Sequence, residues 1–190
     1  GQSFGANQIA LTVSAWDFGD IPETTVSNPD VADDRTWDAT YVSAGLTYAR
    51  LFTDRIAAGL TAKVVSETMA EDLSGTTIAF DAGMTYTVGE SGLHFGVSLK
   101  NFGPSMNNAG DGLSRQGSTR DGDLERTFQI EAEDFELPSL LNFGISYTRE
   151  LGAGSAVTVL GNFRSNSNDA DQFAGGLEFS LREIVYVRGG

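Results

Sequence analysis

The chain alternates between apolar and polar residues with a period of two over most of its length. Between 77 and 88 the apolar set is Ile78, Phe80, Ala82, Met84, Tyr86 and Val88, whereas the intervening residues are Thr, Ala, Asp and Gly. The same pattern recurs at 93–100 and 141–148. Because successive side chains of a strand point to opposite faces, this period predicts strands with one oily face and one small, polar face.

Less regular alternation marks six further segments, which brings the predicted count to about nine strands. These segments are 9–15, 42–48, 56–64, 157–163, 173–181 and 184–188. We expect most strands to approach the roughly 9 to 11 residues that a tilted strand needs to cross a bilayer, whereas soluble strands average about 5 to 6. The predicted fold class is all-β, a transmembrane antiparallel up-and-down β-barrel of the bacterial outer membrane whose oily face contacts lipid.

The predicted connections also alternate in length. Tight links are predicted at 52–54, 89–91, 151–154 and 182–183, and longer links at 19–36, 69–74, 103–138 and 165–171. Because consecutive strands run in opposite directions, every tight link falls at one end of the sheet and every long link at the other. Outer-membrane barrels have this asymmetry, with short periplasmic turns and longer extracellular loops. The pattern predicts that 19–36 and 103–138 are extracellular-type loops.

The odd strand count predicts a partial barrel. Single-chain bacterial barrels have an even number of strands, and a bilayer does not tolerate unpaired sheet edges. We therefore expect residues 1–190 to form a single partial barrel domain that further strands or other chains complete.

Composition narrows the functional classes. A net charge of −14 and a pI near 4.2 oppose contact with nucleic-acid phosphates, so we expect no nucleic-acid partner. There is no cysteine, and the one histidine, His94, lacks a recognisable serine–carboxylate motif. Dinucleotide, phosphate-loop and zinc-protease motifs are absent. We expect no catalytic residue, metal or cofactor, and therefore no enzyme.

Charged residues are predicted on the polar face at about one per strand. They are Lys63, Glu67, Asp81, Lys100, Arg164, Glu178 and Arg182. Both signs occur, so neighbouring strands can pair them across a narrow interior as a satisfied network. Small residues on the same face make room for them: Gly59, Gly83, Gly96, Gly144 and Gly176. The alternative is that the charges belong to a polar conduit or a binding site.

The 103–138 link is too long to be a simple connection. Phe128, Ile130 and Phe135 make its second half apolar enough to fold into the barrel mouth or to contact a protein partner. Candidate Ca²⁺ ligands occur in both long loops, at Asp30, Asp33, Asp34, Glu131, Glu133, Asp134 and Glu136. Because no loop has the regular ligand spacing of a dedicated calcium site, a solvated acidic rim is the preferred interpretation.

Several longer segments carry a family resemblance. They read LTYARLFTDRIAAGLTAKVVSETM, IAFDAGMTY, LHFGVSLKNFGPSM, ELPSLLNFGISYT and GGLEFSLREIVYVRGG. Together they span nearly the whole chain, and they resemble the PorV/PorQ family of outer-membrane proteins, which is related to the FadL-type barrels. The resemblance implies a FadL-like barrel of about fourteen strands, of which about nine are in this chain.

The resemblance also implies a non-enzymatic role. PorV-like barrels take part in type IX secretion, a protein-transport system of Gram-negative bacteria, where they receive secreted proteins at the cell surface. FadL-type relatives instead pass hydrophobic small molecules through the membrane. A structural role in outer-membrane or surface assembly is a third alternative. Protein partners contacted through the extracellular loops are expected in the first and third cases.

Overall fold

The computed structural model describes residues 1–22, 36–70, 73–110, 114–118, 125–129 and 134–190. All regular secondary structure in these residues is β-strand. No helix among them is long and apolar enough to cross a membrane. The strands are β1 (Gln2–Phe4), β2 (Asn7–Pro22), β3 (Thr36–Thr53), β4 (Ile56–Ala70), β5 (Leu73–Val88), β6 (Leu93–Phe102), β7 (Asn108–Ala109), β8 (Ser114–Ser118), β9 (Glu125–Gln129), β10 (Leu140–Gly152), β11 (Ser155–Asn166), β12 (Asp169–Leu181) and β13 (Val185–Gly189).

The nine predicted strands correspond to β2–β6 and β10–β13, which we call the main strands. With β1 and β7 they form one 11-stranded sheet in which each main strand pairs antiparallel with the next along the chain. The short β7 pairs with β5, and β8 and β9 form a separate two-stranded sheet. The all-β, antiparallel, up-and-down architecture predicted from alternation is therefore confirmed. The sheet is open, since β1 and β13 at its two edges do not pair with each other.

Tight turns lie at one end of the sheet, which we call the tight-turn end. At this end Thr53 pairs with Ile56, and the β10–β11 and β12–β13 turns contain residues of positive φ, including Ala153 (φ 53°), Arg182 (φ 52°) and Glu183 (φ 57°). Two consecutive left-handed residues match the twist of antiparallel strands, which explains the compact β10–β11 and β12–β13 hairpins.

At the opposite, loop end, two of the four links predicted to be long are in fact short. β4 ends at Ala70 and β5 begins at Leu73, and Asn166 pairs with Asp169 across the β11–β12 turn. The polar sequence around these positions predicts loop, but Ser74, Asn166 and Asp169 lie within β5, β11 and β12 and extend these strands beyond their apolar segments. The other two links remain long, and both lie at the loop end.

The interval 103–138 contains structure that alternation did not predict. β7 runs in the same direction as β6, because both strands pair antiparallel with β5; in β7, Asn108 pairs with Gly75. The hairpin of β8 and β9 follows, and a single bridge joins Met106 to Phe135 before β10 begins. The interval is therefore a folded insertion between β6 and β10 rather than a plain loop.

Register aligns the apolar side chains of all main strands on one side of the sheet, which we call the apolar face. The row Val13–Ala44–Val64–Ile78 runs through consecutive pairings, and a second row on the same face runs Met84–Val97–Phe143–Phe163–Phe173 across the other half. Large side chains there stay exposed, as Phe143 (50 %) and Ile145 (47 %) show. The opposite side is the polar face.

The most buried side chains lie on the polar face near the loop end. Val65, Ala79 and Met106 are completely buried, and Thr77 is 6 % exposed. The Thr77 hydroxyl donates a hydrogen bond of 3.1 Å to the carbonyl oxygen of Pro104. The segment that follows β6 therefore covers the polar face of β4 and β5, and this small core fixes the base of the insertion.

Candidate functional site

A polar cluster occupies the polar face of β4, β5 and β6. The Lys63 ammonium lies 2.8 Å from a carboxylate oxygen of Asp81 and donates a second hydrogen bond of 2.6 Å to Oδ1 of Asn101. The Lys63 and Asp81 side chains are 15 % and 23 % exposed. Because both charges are largely removed from solvent and satisfied by each other, they stabilise the sheet only as a complete set.

Asn101 connects this cluster to the insertion. Its backbone N–H donates to Asp81 (2.8 Å), and its side-chain amide donates to the carbonyl oxygen of Pro138 (2.8 Å). Asn101 has φ 59°, a left-handed conformation that Asn tolerates better than most residues, and the β5–β6 register shifts beside it. One residue thus ties both ends of the insertion to the Lys63–Asp81 ion pair.

The structure does not join the other predicted charges to this cluster. Arg164 donates to Oδ1 of Asn142 (3.1 Å), and Glu178 forms an ion pair with Arg188 on β13. Arg188 was not among the predicted charges, although two-residue alternation on the last strand places it on the polar face opposite Glu178.

The remaining predicted charges take isolated positions. Glu67 pairs in register with Gly75, Lys100 is exposed opposite Leu140, and Arg182 lies in the β12–β13 turn, outside the polar face. The predicted single network therefore divides into one cluster at β4–β6 and separate contacts on β10–β13.

A depression of about 650 Å³ lies between the cluster and the tight-turn end. Its polar-face lining includes Gly59, Gly83, Gly96, Gly144, Gln8, Ser98, Asn142 and Asn162. His94 lines an adjoining hollow of about 520 Å³ with Thr87 and Ser146, and no described residue of that hollow is a carboxylate. Amide and hydroxyl groups of this kind bind water and polar ligands by neutral hydrogen bonds.

The residues predicted for partner or calcium contact fall mostly in the insertion. Phe128 lies on β9, opposite Arg115, and Phe135 is 37 % exposed and forms the bridge to Met106. Ile130, together with Asp30, Asp33, Asp34, Glu131 and Glu133, lies outside the described residues. Within the described part of the chain, no group of three or more His, Asp or Glu side chains has the geometry to hold a metal ion.

Carboxylates also cluster at the loop end of β2 and β3. The pKa of Asp38 is raised above its ordinary value, first by a hydrogen bond with Asp20, then by desolvation, and then by repulsion from Asp20 and Asp17. Asp38 lies beyond Val42, the first apolar residue of the apolar face on β3. This end of the sheet therefore carries concentrated negative charge.

The fold and these contacts define the class of protein as an open antiparallel meander with one apolar and one polar face. Comparison with known proteins adds no relative: no protein-family model, no curated protein and no solved structure matches the chain.

Proposed function

We propose that the chain is part of a bacterial outer-membrane β-barrel whose apolar face contacts lipid and whose polar face lines the interior. The observation that carries this proposal is the continuity of the apolar face. On the apolar face of β2, no charged residue lies between Ile9 and Ala15, and on that of β3 none lies between Val42 and Tyr48. The positions of the later strands that share this face with them are likewise uncharged. Lipid is the environment that matches an uncharged face this wide.

The sheet edges support closure by further strands. β1 pairs only with Asn7–Ile9 of β2, and β13 pairs only with Leu177–Leu181 of β12. Leu11 on β2 and Phe173 on β12 are among the most exposed large apolar side chains of the described residues, at 74 % and 82 %. Additional strands on both sides would cover these side chains and satisfy the edge hydrogen-bonding groups.

We further propose a non-enzymatic role in which the insertion engages protein partners at the cell surface, as the PorV/PorQ resemblance implies for type IX secretion. The segments SLKNFGPSM and ELPSLLNFGISY, which carry much of that resemblance, meet at the hydrogen bond between Asn101 and Pro138. This contact holds the base of the insertion at the loop end, where a partner would approach.

Transport of hydrophobic molecules is less well supported. A conduit for such molecules requires an apolar lining on the interior side, whereas Gln8, Asn142 and Asn162 contribute amides to the main polar-face depression. A hollow of about 560 Å³ lined by Phe95, Phe143 and Phe163 lies instead on the apolar face. In the proposed arrangement lipid acyl chains fill that hollow.

Electrophoresis tests the barrel proposal. The intact protein, extracted from outer membranes in detergent, should migrate faster in SDS gels when unheated than when boiled, because a closed barrel resists SDS. Extraction without detergent together with identical migration of the two samples would overturn the proposal.

A further inference from the structure

Charged side chains occur on the described part of the apolar face only at its two ends. Arg50 pairs with Ala58 and Arg149 pairs with Val157, so both arginines share this face at the tight-turn end. At the loop end the charged residues on the same face are all acidic, at Asp17, Asp20, Asp38 and Asp171. The lipid-facing side of the proposed barrel is therefore positively charged at the tight-turn end and negatively charged at the loop end.

The two arginines share a local arrangement. Each follows a tyrosine of the apolar face by two residues, Tyr48 before Arg50 and Tyr147 before Arg149, on strands that run toward the tight-turn end. Both arginines are exposed, and the ion pairs of the described residues leave neither with a carboxylate within 4.0 Å. The Arg50 guanidinium lies 5.7 Å from the centre of the Phe52 ring.

This arrangement matches the headgroup region of a bilayer. Tyrosine is enriched where acyl chains give way to headgroups, and a guanidinium just beyond it reaches phosphate oxygens with two parallel hydrogen bonds. The aspartates at the loop end repel the same headgroups. The charges therefore favour the orientation in which the tight-turn end, not the loop end, contacts the anionic headgroups.

We propose that Arg50 and Arg149 each bind the phosphate of an anionic phospholipid in the leaflet at the tight-turn end. The inference rests on the membrane location proposed above. β3 and β10 are four strand steps apart in the sheet. At about 4.8 Å per step this is roughly 19 Å across the strands. The register aligns Arg50 with Phe143 of β10, so Arg149 lies six residues further along that strand, roughly another 20 Å at about 3.4 Å per residue. The two arginines are therefore well separated and form two sites.

Lipid retention measured by native mass spectrometry tests this inference. The intact protein is released from mixed micelles that contain equal amounts of phosphatidylglycerol and phosphatidylcholine, and the ratio of the two lipids bound is recorded. A basic residue near an anionic surface contributes about fivefold in affinity. Arg50→Gln and Arg149→Gln should therefore each lower the overall ratio by a part of that factor, because the other site stays intact. The double variant should show no preference.

Arg55→Gln is the matched control, because it removes the same charge from the same end but lies in the β3–β4 turn, off the apolar face. It should keep the lipid ratio of the unmodified protein. An equal loss in Arg55→Gln, or equal binding of the two lipids by the unmodified protein, would overturn the inference while the barrel stands. Absence of the heat-dependent gel shift would overturn the barrel and this inference together.

Discussion

Asn101 combines three tasks at the start of the insertion. Its left-handed backbone turns the chain toward the polar face, its amide fixes Pro138, and its Oδ1 accepts a hydrogen bond from Lys63. Few other side chains provide both an acceptor and a donor in this conformation. The Lys63–Asp81 pair therefore holds Asn101 in place, and through Asn101 it fixes the base of the insertion to the sheet.

Asp81→Asn tests the importance of the ion pair. Lys63 would remain in the sheet without a carboxylate, so we expect the free energy of unfolding to fall by about 1–3 kcal/mol. Urea titration of the purified protein, followed by tryptophan fluorescence, measures this change. Glu178→Gln is the control, because its partner Arg188 is 69 % exposed. Equal loss in both variants would contradict the special role of the cluster.

Gly75→Ala tests the close packing beneath the insertion. A Cβ at Gly75 would overlap Oδ1 of Asn108 and lie 2.7 Å from Cγ of Met106. We expect a loss of about 1–3 kcal/mol in unfolding free energy, because the insertion base must move outward. At Gly96 an added Cβ meets nothing within 4 Å, so Gly96→Ala should change stability little in the same titration. Tolerance of Gly75→Ala would argue against a packed base.

The cluster could be predicted only in part from the sequence. Alternation places Lys63 and Asp81 on one face, but their contact with Asn101 depends on a register shift between Phe80 and Ala82. Such a bulge follows from backbone geometry and leaves no periodic signal in the sequence. The Arg188–Glu178 ion pair, by contrast, is predictable from the sequence, because two-residue alternation on β13 places Arg188 on the polar face.

At the level of elements, alternation identifies every main strand but predicts some strands too short. β2 extends to Pro22 and β3 begins at Thr36, well beyond the predicted segments 9–15 and 42–48. The added residues include Asp17, Asp38 and Thr40, which carry no hydrophobic signal because they lie past the apolar segment. The short strands β7, β8 and β9 have too few residues to show any period.

A pair of substitutions on β10 distinguishes its two faces. Ile145 pairs with Phe95 on the apolar face, and the adjacent Ser146 pairs with His94 on the polar face. In the proposed barrel an arginine at mid-membrane on the lipid side costs about 2–4 kcal/mol, whereas an interior position is tolerated. Ile145→Arg should therefore reduce the fraction folded into vesicles, measured by the heat-dependent gel shift, far more than Ser146→Arg. Equal effects would indicate that the two faces share one environment.

For the whole molecule, the meander order follows from the short hairpins, which pair most main strands with their sequence neighbours. The large insertion does not break this order, because β6 and β10 still pair directly from Leu93 to Lys100. Closure of the sheet into a barrel cannot be predicted in this way, because two-residue periodicity defines the two faces of each strand but not which sheet edges pair. In the proposed barrel, the unpaired edges of β2 and β12 would pair with further strands.

The most direct test of the central claim uses the absence of cysteine from the chain. Single cysteines are placed at neighbouring residues on opposite faces, as Met84→Cys with Thr85→Cys and Ile145→Cys with Ser146→Cys, and intact outer membranes are treated with a water-soluble maleimide. The proposed barrel predicts that cysteines at 84 and 145 stay unlabelled because lipid covers them, while those at 85 and 146 react from the water-lined interior. Equal labelling of both members of each pair would contradict a lipid-facing apolar side.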